Sequence, residues 1–548
     1  MPPSRARLRA ALDDASMYAR FRWGLRGFLR QRVSLEEARA IVQRRLAERE
    51  ASFLRVVERG VFGYSRSPYL PLLKLAGCEL GDLRSMVRAR GIEGTLRALR
   101  AAGVYVSFEE FKGRAPIVRD GRELAIDARH FANPSLRRTY QGQTSGSTGT
   151  GSRVDIDLDH LAAIVPHVAL TFDAHGVFGA PVGLWHGTLP DTTGLMVVLT
   201  RSRMGMTPRR WFTPFGSRDV RPARRYRLAT GLTPILGRLY GAPLPYPRPL
   251  ALDQAAVVAR WMAGTLRARG ICLFNAPVSM AVRISLAARA EGLSLEGAAF
   301  FGGGEPPTPT KVREITASGA RWIPIYGSQE AGAIGLGCVR PLDGSDVHFV
   351  RDTLALIQHP RQVPGTSLTV PAFHLTGLLP SFPKLLLNVE TDDFGVLEER
   401  RCGCPLEALG FGEHVREIYS FRKLTGEGVT LVGSEMLRVL EEVLPARFGG
   451  SPLDYQLLEE EDAQGFTRLV LLVSPSVPLA EEADVIQVVL EALGRSSAAA
   501  DLARAIWSQA GSLRVRRQQP LVGASGKLLP LRLAQRLAAP TPAPTPAP

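Results

Sequence analysis

Short apolar runs alternate with amphipathic segments in the middle of the chain. The runs Ile271–Phe274, Gly297–Phe301 and Trp322–Tyr326 have the length of buried strands. The segments Met280–Ala290 and Thr310–Ala317 between them have helical spacing. Strands that alternate with helices predict βαβ units and a parallel sheet. The pattern therefore predicts an α/β fold, with a large N-terminal domain of mostly parallel sheets flanked by helices.

The pattern changes toward both ends of the chain. The first residues have helical spacing and many arginines, and we expect their helices to pack on the main domain rather than on a membrane or a partner. After about residue 424, strand-like runs and the helical segment Glu481–Leu493 predict a small, mobile α+β domain. The predicted organisation is a helical region over 1–84, a main domain over 85–422, a C-terminal domain over 423–534 and a disordered Pro/Ala/Thr tail over 535–548.

Polar and glycine-rich loops follow the three central apolar runs. They are Asn275–Ala276, Gly302–Glu305 and Gly327–Glu330. Ligands of open parallel sheets bind beyond the carboxyl ends of the strands. The sequence therefore predicts a binding site at the edge of the sheet where these loops meet.

A run of small polar residues, Thr144–Arg153, offers hydroxyls, three glycines and a terminal arginine. Glycines let a backbone approach a ligand closely, and amide and hydroxyl donors suit anionic oxygens. Ser152 and Arg153 stand where a Walker A loop has Lys and then Ser or Thr, so this is a different kind of loop. A polyphosphate site and a flexible surface loop both fit these residues alone.

The charge and the cysteine content restrict the function further. The net charge is +16, but lysines make up only six of the 68 basic residues, and the arginines are scattered along the chain. This distribution reflects base composition rather than a nucleic-acid surface. The five cysteines do not form a disulfide framework, no apolar run has the length of a transmembrane helix, and no secretory signal precedes the first helix. We therefore expect a cytoplasmic protein without integral membrane segments or nucleic-acid partners.

Several motifs, in order, resemble those of the adenylate-forming superfamily of acyl-CoA synthetases, adenylation domains and luciferases. The resemblance covers roughly residues 85–530 and is greatest to the phenylacetate-CoA ligase-like branch. The segments that carry it are Thr144–Arg153, Gly302–Pro306, Tyr326–Glu330, Thr391–Asp393, Arg422 and Ser525–Lys527.

The resemblance implies ATP-dependent activation of a carboxylic acid to an acyl adenylate with release of pyrophosphate, followed by transfer to a thiol. Coenzyme A is the expected thiol. Transfer to a carrier protein or an amine, and a non-catalytic AMP-binding module, are the alternatives. The small-molecule acid is expected to bind somewhere between His186 and Asn275, in a pocket that the sequence does not define further.

The resemblance also implies roles for individual residues. Lys527, Glu330 and Arg153 would be catalytic, with Glu330 holding Mg²⁺ and Lys527 contacting the reacting carboxylate and the phosphate. Tyr326 would stack on adenine and Asp393 would bind the ribose. The implied nucleotide-binding set is Thr144, Ser145, Gly146, Ser147, Thr148, Gly149, Gly303, Gly304, Glu305, Tyr326, Gly327, Ser328, Asp393 and Arg422.

The chain departs from the superfamily pattern at three places. The phosphate loop lacks lysine, Asp392 stands where the superfamily has glycine, and the hinge segment Phe421–Gly426 does not align with the usual pattern. These departures leave the domain rotation and the second half-reaction open.

Four residues form a candidate zinc site. Cys402 and Cys404 are a close thiol pair, and Cys338 is followed ten residues later by His348. Three cysteines and one histidine make a workable structural zinc set. Phenylacetate-ligase-like proteins show a similar pattern. The alternative is that Cys338 is a small buried apolar residue and the Cys-x-Cys pair an unligated turn.

Overall fold

A computed structural model describes most of the chain. The described residues are 21–113, 115–136, 139–143, 153–189, 191–214, 224–304, 307–328, 330–362, 369–420, 425–426, 429–430, 433–461, 467–493, 513–522, 528 and 530–533. The predicted tail over 535–548 lies outside them.

Helices precede the main sheet, connect its parallel strands and recur in the small C-terminal unit. They are α1 over 21–30, α2 Leu35–Ala47, α3 Arg49–Val57, α4 Leu70–Leu75, α5 Leu80–Ala101, α6 Phe108–Phe111, α7 Leu158–Ala174, α8 Thr193–Arg203, α9 Arg224–Leu239, α10 Ala255–Arg269, α11 Val278–Ala290, α12 Pro309–Thr316, α13 Pro405–Ala408, α14 Gly433–Arg438, α15 Leu444–Phe448 and α16 Glu482–Leu493. Short 3₁₀ turns cover Ala128–Phe131 and Leu252–Gln254, and π-helical turns cover Glu58–Phe62 and Val439–Val443.

The strands before residue 320 are all short, whereas those after it include both long and short ones. They are β1 Ile117–Arg119, β2 Arg122–Leu124, β3 Thr139–Gln143, β4 Arg153–Asp157, β5 Val182–Trp185, β6 Arg210–Thr213, β7 Pro247–Pro249, β8 Cys272–Asn275, β9 Ala298–Gly302, β10 Arg321–Ser328, β11 Gly332–Gly337, β12 Val347–Phe349, β13 Leu354–Gln362, β14 Thr369–Gly377, β15 Val389–Glu399, β16 Glu413–Ser420, β17 Thr425–Gly426, β18 Val429–Thr430, β19 Tyr455–Glu461, β20 Thr467–Val473, β21 Leu513–Arg517 and β22 Leu531–Leu533.

Within the described ranges, twelve strands form one mixed sheet in the order β13-β14-β15-β16-β12-β11-β10-β9-β8-β5-β6-β7. The half from β10 to β7 is parallel, and every pairing from β10 to β13 is antiparallel. The parallel strands β8 and β9 are buried along their whole length, as expected for strands covered by helices on both faces. The α/β class is confirmed, with the finding that half of the sheet is antiparallel.

The N-terminal helices share the main core. Val42 of α2, Leu96 of α5 and Val165 of α7 belong to the same buried cluster as Leu336 of β11 and Leu356 of β13. The predicted division at residue 84 falls inside α5. Leu83 before it and Val87 after it both belong to the main core. No helix within the described residues is long and apolar enough to cross a membrane.

The described residues between 433 and 533 build a small α+β unit. Its sheet has the order β21-β20-β19-β22, and α16 packs on it through Val485 and Val489. The unit contacts the main domain through Leu528, whose N–H donates to Ser279 Oγ at 3.3 Å. A buried ion pair joins Lys311 Nζ of α12 to Glu441 Oε1 at 2.9 Å. The mobility of this unit stays a prediction.

Candidate active site

Glycines at the end of β9 bring neighbouring strands into close approach. A Cβ on Gly302 would lie 1.8 Å from the Ala276 carbonyl oxygen, and one on Gly303 would lie 2.0 Å from that of Ile325. Gly304 has a φ of +79°, a conformation that side chains disfavour. These three glycines are therefore required by the backbone itself, and they hold the loop after β9 at the edge of the sheet.

Tyr326 and Asp393 meet at this edge, although 67 positions separate them in the chain. The Tyr326 hydroxyl donates to Asp393 Oδ2 at 3.0 Å. The backbone N–H of Asp393 donates to Thr391 Oγ1 at 3.3 Å, which holds the backbone of β15 at this position. Burial, and then the neighbouring Asp393 carboxylate, raise the pKa of the Tyr326 hydroxyl. The phenol is thus a neutral hydrogen-bond donor at physiological pH.

A cavity of about 150 Å³ lies between these residues. Its lining brings together the separate segments that the sequence assigned to a nucleotide: Gly302, Gly303, Gly304, Tyr326, Gly327 and Asp393, with Tyr419 of β16. The amide-rich glycine loop, the aromatic ring and the carboxylate are the groups expected around phosphate, base and ribose. We name this cavity the nucleotide side.

Glu330 lies beside the nucleotide side and forms an ion pair that the sequence did not reveal. Its Oε1 is 2.5 Å from Nζ of Lys112, and both side chains are about one-fifth exposed. Lys112 follows α6, and its ammonium lies 5.5 Å from the centre of the Phe108 ring. The signal available in the sequence was the rarity of lysine, since Lys112 is one of only six.

A second cavity, of about 240 Å³, shares Gly302, Gly303 and Gly304 with the first. Its wall is mostly apolar and includes side chains from α7, α8 and β9: Leu161, Ile164, Val168, Met196, Val197 and Phe301. Its polar lining includes His186 and Asn275, the two ends of the range in which the acid was expected to bind, and Arg201. We name this cavity the acid side.

Cys338, His348, Cys402 and Cys404 come together at the far end of β11 and β12. The Nε2 atom of His348 is 3.2 Å from the Cys404 sulfur and 3.8 Å from that of Cys402. The Nδ1 atom of His348 contacts the Phe411 carbonyl oxygen at 2.7 Å, so Nδ1 carries the proton and Nε2 is left to face the sulfurs. A hydrogen bond with Cys338, and a further one with His348, lower the pKa of the Cys404 thiol.

His414 joins this cluster and was missed in the sequence. Candidate ligand atoms of Cys338, His348, Cys402 and His414 lie within 4.8 Å of one another. The Nδ1 atom of His414 is 2.7 Å from Asp346 Oδ1, whereas its buried Nε2 has no hydrogen-bond partner. His414 faces His348 across the β12–β16 ladder, a pairing that sequence spacing alone does not give.

Comparison with known proteins identifies the fold. No protein-family profile and no curated protein matches the chain. A 2-hydroxyisobutyryl-CoA ligase solved in the postadenylation state is 14% identical, with a TM-score of 0.50 over 91% of this chain and 90% of the ligase. The chain has the fold of an adenylate-forming ligase.

Two other solved structures are also similar to the chain. ATP-bound MatB from Rhodopseudomonas palustris is 14% identical, with a TM-score of 0.41 over 71% of this chain and 66% of MatB. The amide bond synthetase McbA from Marinactinospora thermotolerans is 13% identical, with a TM-score of 0.38 over 84% of this chain and 91% of McbA. The phenylacetate-CoA ligase-like branch stays a prediction.

Part of the predicted site of this ligase fold lies outside the described residues. Arg153 begins β4, but its side chain is not among those described. The predicted residues outside the described ranges are Thr144, Ser145, Gly146, Ser147, Thr148, Gly149, Glu305, Arg422 and Lys527. The roles of these residues therefore stay predictions.

Proposed function

We propose that this chain uses ATP to activate a carboxylic acid as an acyl adenylate, releasing pyrophosphate, and then transfers the acyl group to a thiol. The observation that carries the proposal is the pair of adjoining cavities in a ligase fold. One is lined by an aromatic ring, glycine amides and a carboxylate, the other is mostly apolar, and they share Gly302, Gly303 and Gly304. A carboxylate on the acid side would thus lie next to a nucleotide phosphate.

On the nucleotide side, the ring of Tyr326 offers a face for adenine, and the Asp393 carboxylate is an acceptor for ribose hydroxyls. The present hydrogen bond between these two residues holds both groups at the cavity wall. The backbone amides of Gly303 and Gly304 supply further donors. With ATP bound in this way, its α-phosphate would face the acid side.

Charge repulsion is the main barrier to attack by a carboxylate on a phosphate, so cations must offset it. The carboxylate of Glu330 fits a hard divalent cation, and Mg²⁺ held there would balance the triphosphate charge. Lys112, 2.5 Å from Glu330, neutralises that carboxylate in the described structure. Arg153 and Lys527 are proposed to act on the phosphate and on the reacting carboxylate.

Coenzyme A is the proposed acceptor, because the solved structure with the same fold is named as a CoA ligase. The thiolate would attack the acyl carbonyl carbon, and AMP would leave with the bonding electrons. A carrier-protein thiol or an amine would follow the same course. A cytoplasmic location, where ATP and coenzyme A are available, accords with this proposal.

We also propose a structural zinc ion at the cysteine and histidine cluster. The unpartnered Nε2 of His414 and the fixed Nε2 of His348 fit a metal site, because buried imidazole nitrogens otherwise need a hydrogen-bond partner. The Asp346 carboxylate on His414 Nδ1 is the kind of contact that orients a histidine ligand. Cys338, Cys402, Cys404, His348 and His414 are thus five candidates for four ligand positions.

The test of the main proposal is exchange of labelled pyrophosphate into ATP, with Mg²⁺ and a panel of aliphatic, aromatic and amino acids. Exchange that depends on the acid supports adenylation, and intact-mass detection of a thioester after addition of coenzyme A supports the second step. Nucleotide binding by calorimetry without exchange for any acid would favour the non-catalytic module instead.

A further inference from the structure

Arg201 is a buried cation without an acidic partner. It lies in the last turn of α8 and is 3% exposed. Its Nη2 donates to Asn275 Oδ1 at 2.7 Å and its Nη1 to Thr200 Oγ1 at 3.2 Å, while its Nε has no partner. Its Cζ atom lies 4.8 Å and 5.1 Å from the ring centres of Phe172 and Phe301. All of these neighbours are neutral.

The chain treats its other buried cations differently. Among the described residues, the buried basic side chains besides Arg201 are Arg49, Arg119 and Lys311, and each forms an ion pair with a glutamate: Glu93, Glu110 and Glu441. A buried charge is costly unless it is paired. Burial lowers the pKa of Arg201 to about 9, which leaves the guanidinium charged at neutral pH. Its charge is therefore not balanced by the described protein groups.

The position of Arg201 in the cavity wall indicates which kind of ligand balances its positive charge. The side chain lines the acid side together with Asn275 and with apolar residues such as Ile164 and Val197. A neutral acyl chain would leave the charge unbalanced, whereas a second carboxylate would form a charge-assisted pair with it. The cavity of about 240 Å³ is smaller than the roughly 300–1,000 Å³ typical of sites for drug-sized ligands, which favours a short substrate.

We propose that the acid activated by this chain is a short dicarboxylic acid, with one carboxylate at the nucleotide and the other paired with Arg201. This inference rests on the proposed ligase function, whose reacting carboxylate it leaves unchanged. Asn275 positions the guanidinium through its Oδ1, and the rings of Phe172 and Phe301 hold it between them. Arg201 thereby selects the substrate rather than taking part in bond making.

The experiment compares succinate, glutarate and adipate with their half-amides, which have nearly the same shape but one charge less. For the full-length protein, pyrophosphate exchange should show a kcat/KM on the order of 10²- to 10³-fold higher for the best diacid than for its half-amide. In Arg201→Met this preference should vanish or reverse. Arg203→Met, in the same helix but outside the cavity, should keep it, because Arg203 contacts Phe28 and Gln31 instead.

Stability and binding separate the alternatives. Removal of an unbalanced buried charge should leave the melting temperature of Arg201→Met unchanged or higher. A lower melting temperature with the diacid preference intact would make Arg201 structural and overturn the proposal. Equal losses for every acid would assign Arg201 to the reacting carboxylate and also overturn it. If the wild-type protein had equal kcat/KM values for diacids and their half-amides, the proposal would be overturned without any variant.

Calorimetric titration with the acids alone distinguishes failure of this inference from failure of the ligase function. Diacid binding that depends on Arg201, without exchange for any acid, would support the Arg201 subsite and overturn the ligase proposal. Exchange with monocarboxylic acids and no preference for diacids would support the ligase proposal and overturn the Arg201 subsite.

Discussion

The nucleotide side and the acid side share four glycines, Gly302, Gly303, Gly304 and Gly327, but are built in different ways. Tyr326 and Asp393 on the nucleotide side belong to strands and meet through a direct hydrogen bond. The acid side draws its wall from helices α7 and α8 and from strand ends that are far apart in the chain. Under the proposed function, ATP would be contacted from the sheet edge, and the carboxylic acid from helices whose side chains can change without altering the sheet. Variants on the two sides should therefore fail in different ways.

The largest expected effect is that of Lys527→Ala. If Lys527 compensates charge where the carboxylate meets the α-phosphate, its loss should lower adenylation of every acid on the order of 10²- to 10³-fold. A chemically supplied acyl adenylate should still be converted to the thioester. Single-turnover measurements of both steps check this, with Lys74→Ala on the exposed surface of α4 as the control. Intact adenylation would make Lys527 an ordinary surface lysine.

Glu330→Gln should lower exchange for all acids by a common factor of about 10². The amide keeps the shape of the side chain but cannot offset a divalent cation, and it loses the ion pair with Lys112. The dependence of the rate on Mg²⁺ concentration should shift to higher values. Glu314→Gln, whose carboxylate pairs with Arg289 on the surface, is the matched control. If Glu330→Gln changed the selectivity between acids, Glu330 would act on the acid side, which contradicts its assignment beside the nucleotide.

The nucleotide side was the easier part to predict from the sequence. Gly303 and Gly304 lie in the loop after one apolar run, Tyr326 ends the next run, and Glu330 lies in the loop after it, so strand periodicity leads to them. The acid side was not predictable because helical spacing shows which face is buried but not which cavity it borders. His414 likewise required the β12–β16 ladder to be known.

The antiparallel half of the sheet was missed for a related physical reason. Strand β15 carries acidic residues along its length and pairs with bulges on both edges, so it lacks both an apolar run and a regular alternation. Only its position between β14 and β16 defines it as a strand. Periodicity therefore identified β8, β9 and β10 of the parallel half and no strand of the antiparallel half.

Removal of the proposed zinc ion should affect stability and leave both sides of the site unchanged. Protein purified without chelator should contain about one zinc per chain. Chelation or Cys404→Ser should lower the free energy of unfolding by roughly 2–4 kcal/mol, because the ion joins β11, β12 and the segment before α13. Metal analysis and thermal unfolding measure this, with Cys78→Ser, outside the cluster, as the control. Zinc-free protein of equal stability would contradict the prediction.

The smallest expected effect concerns pH and the wall behind the acid side. His160 is buried near Gly332 and Phe382, neither ring nitrogen has a partner, and burial lowers its pKa to about 4. Between the ordinary pKa of 6.5 and this value the unfolded chain binds the extra proton, so stability falls as the pH falls.

For His160 this loss amounts to about 2 kcal/mol between pH 7 and pH 5. His160→Phe should remove that part of the pH dependence in denaturant unfolding. His130→Phe, in the 3₁₀ turn before β3, should leave it in place. A pH profile that is unchanged in His160→Phe would mean that folding does not lower the pKa of His160, and it would contradict the prediction.

The measurement that tests the central claim most directly is pyrophosphate exchange with matched diacids and half-amides, made in parallel on the wild type, Glu330→Gln and Arg201→Met. The two-sided account predicts that Glu330→Gln lowers exchange for both kinds of acid by one factor, and that Arg201→Met changes their ratio. Exchange that no acid stimulates in the wild type, or a ratio altered by Glu330→Gln and untouched by Arg201→Met, would contradict it.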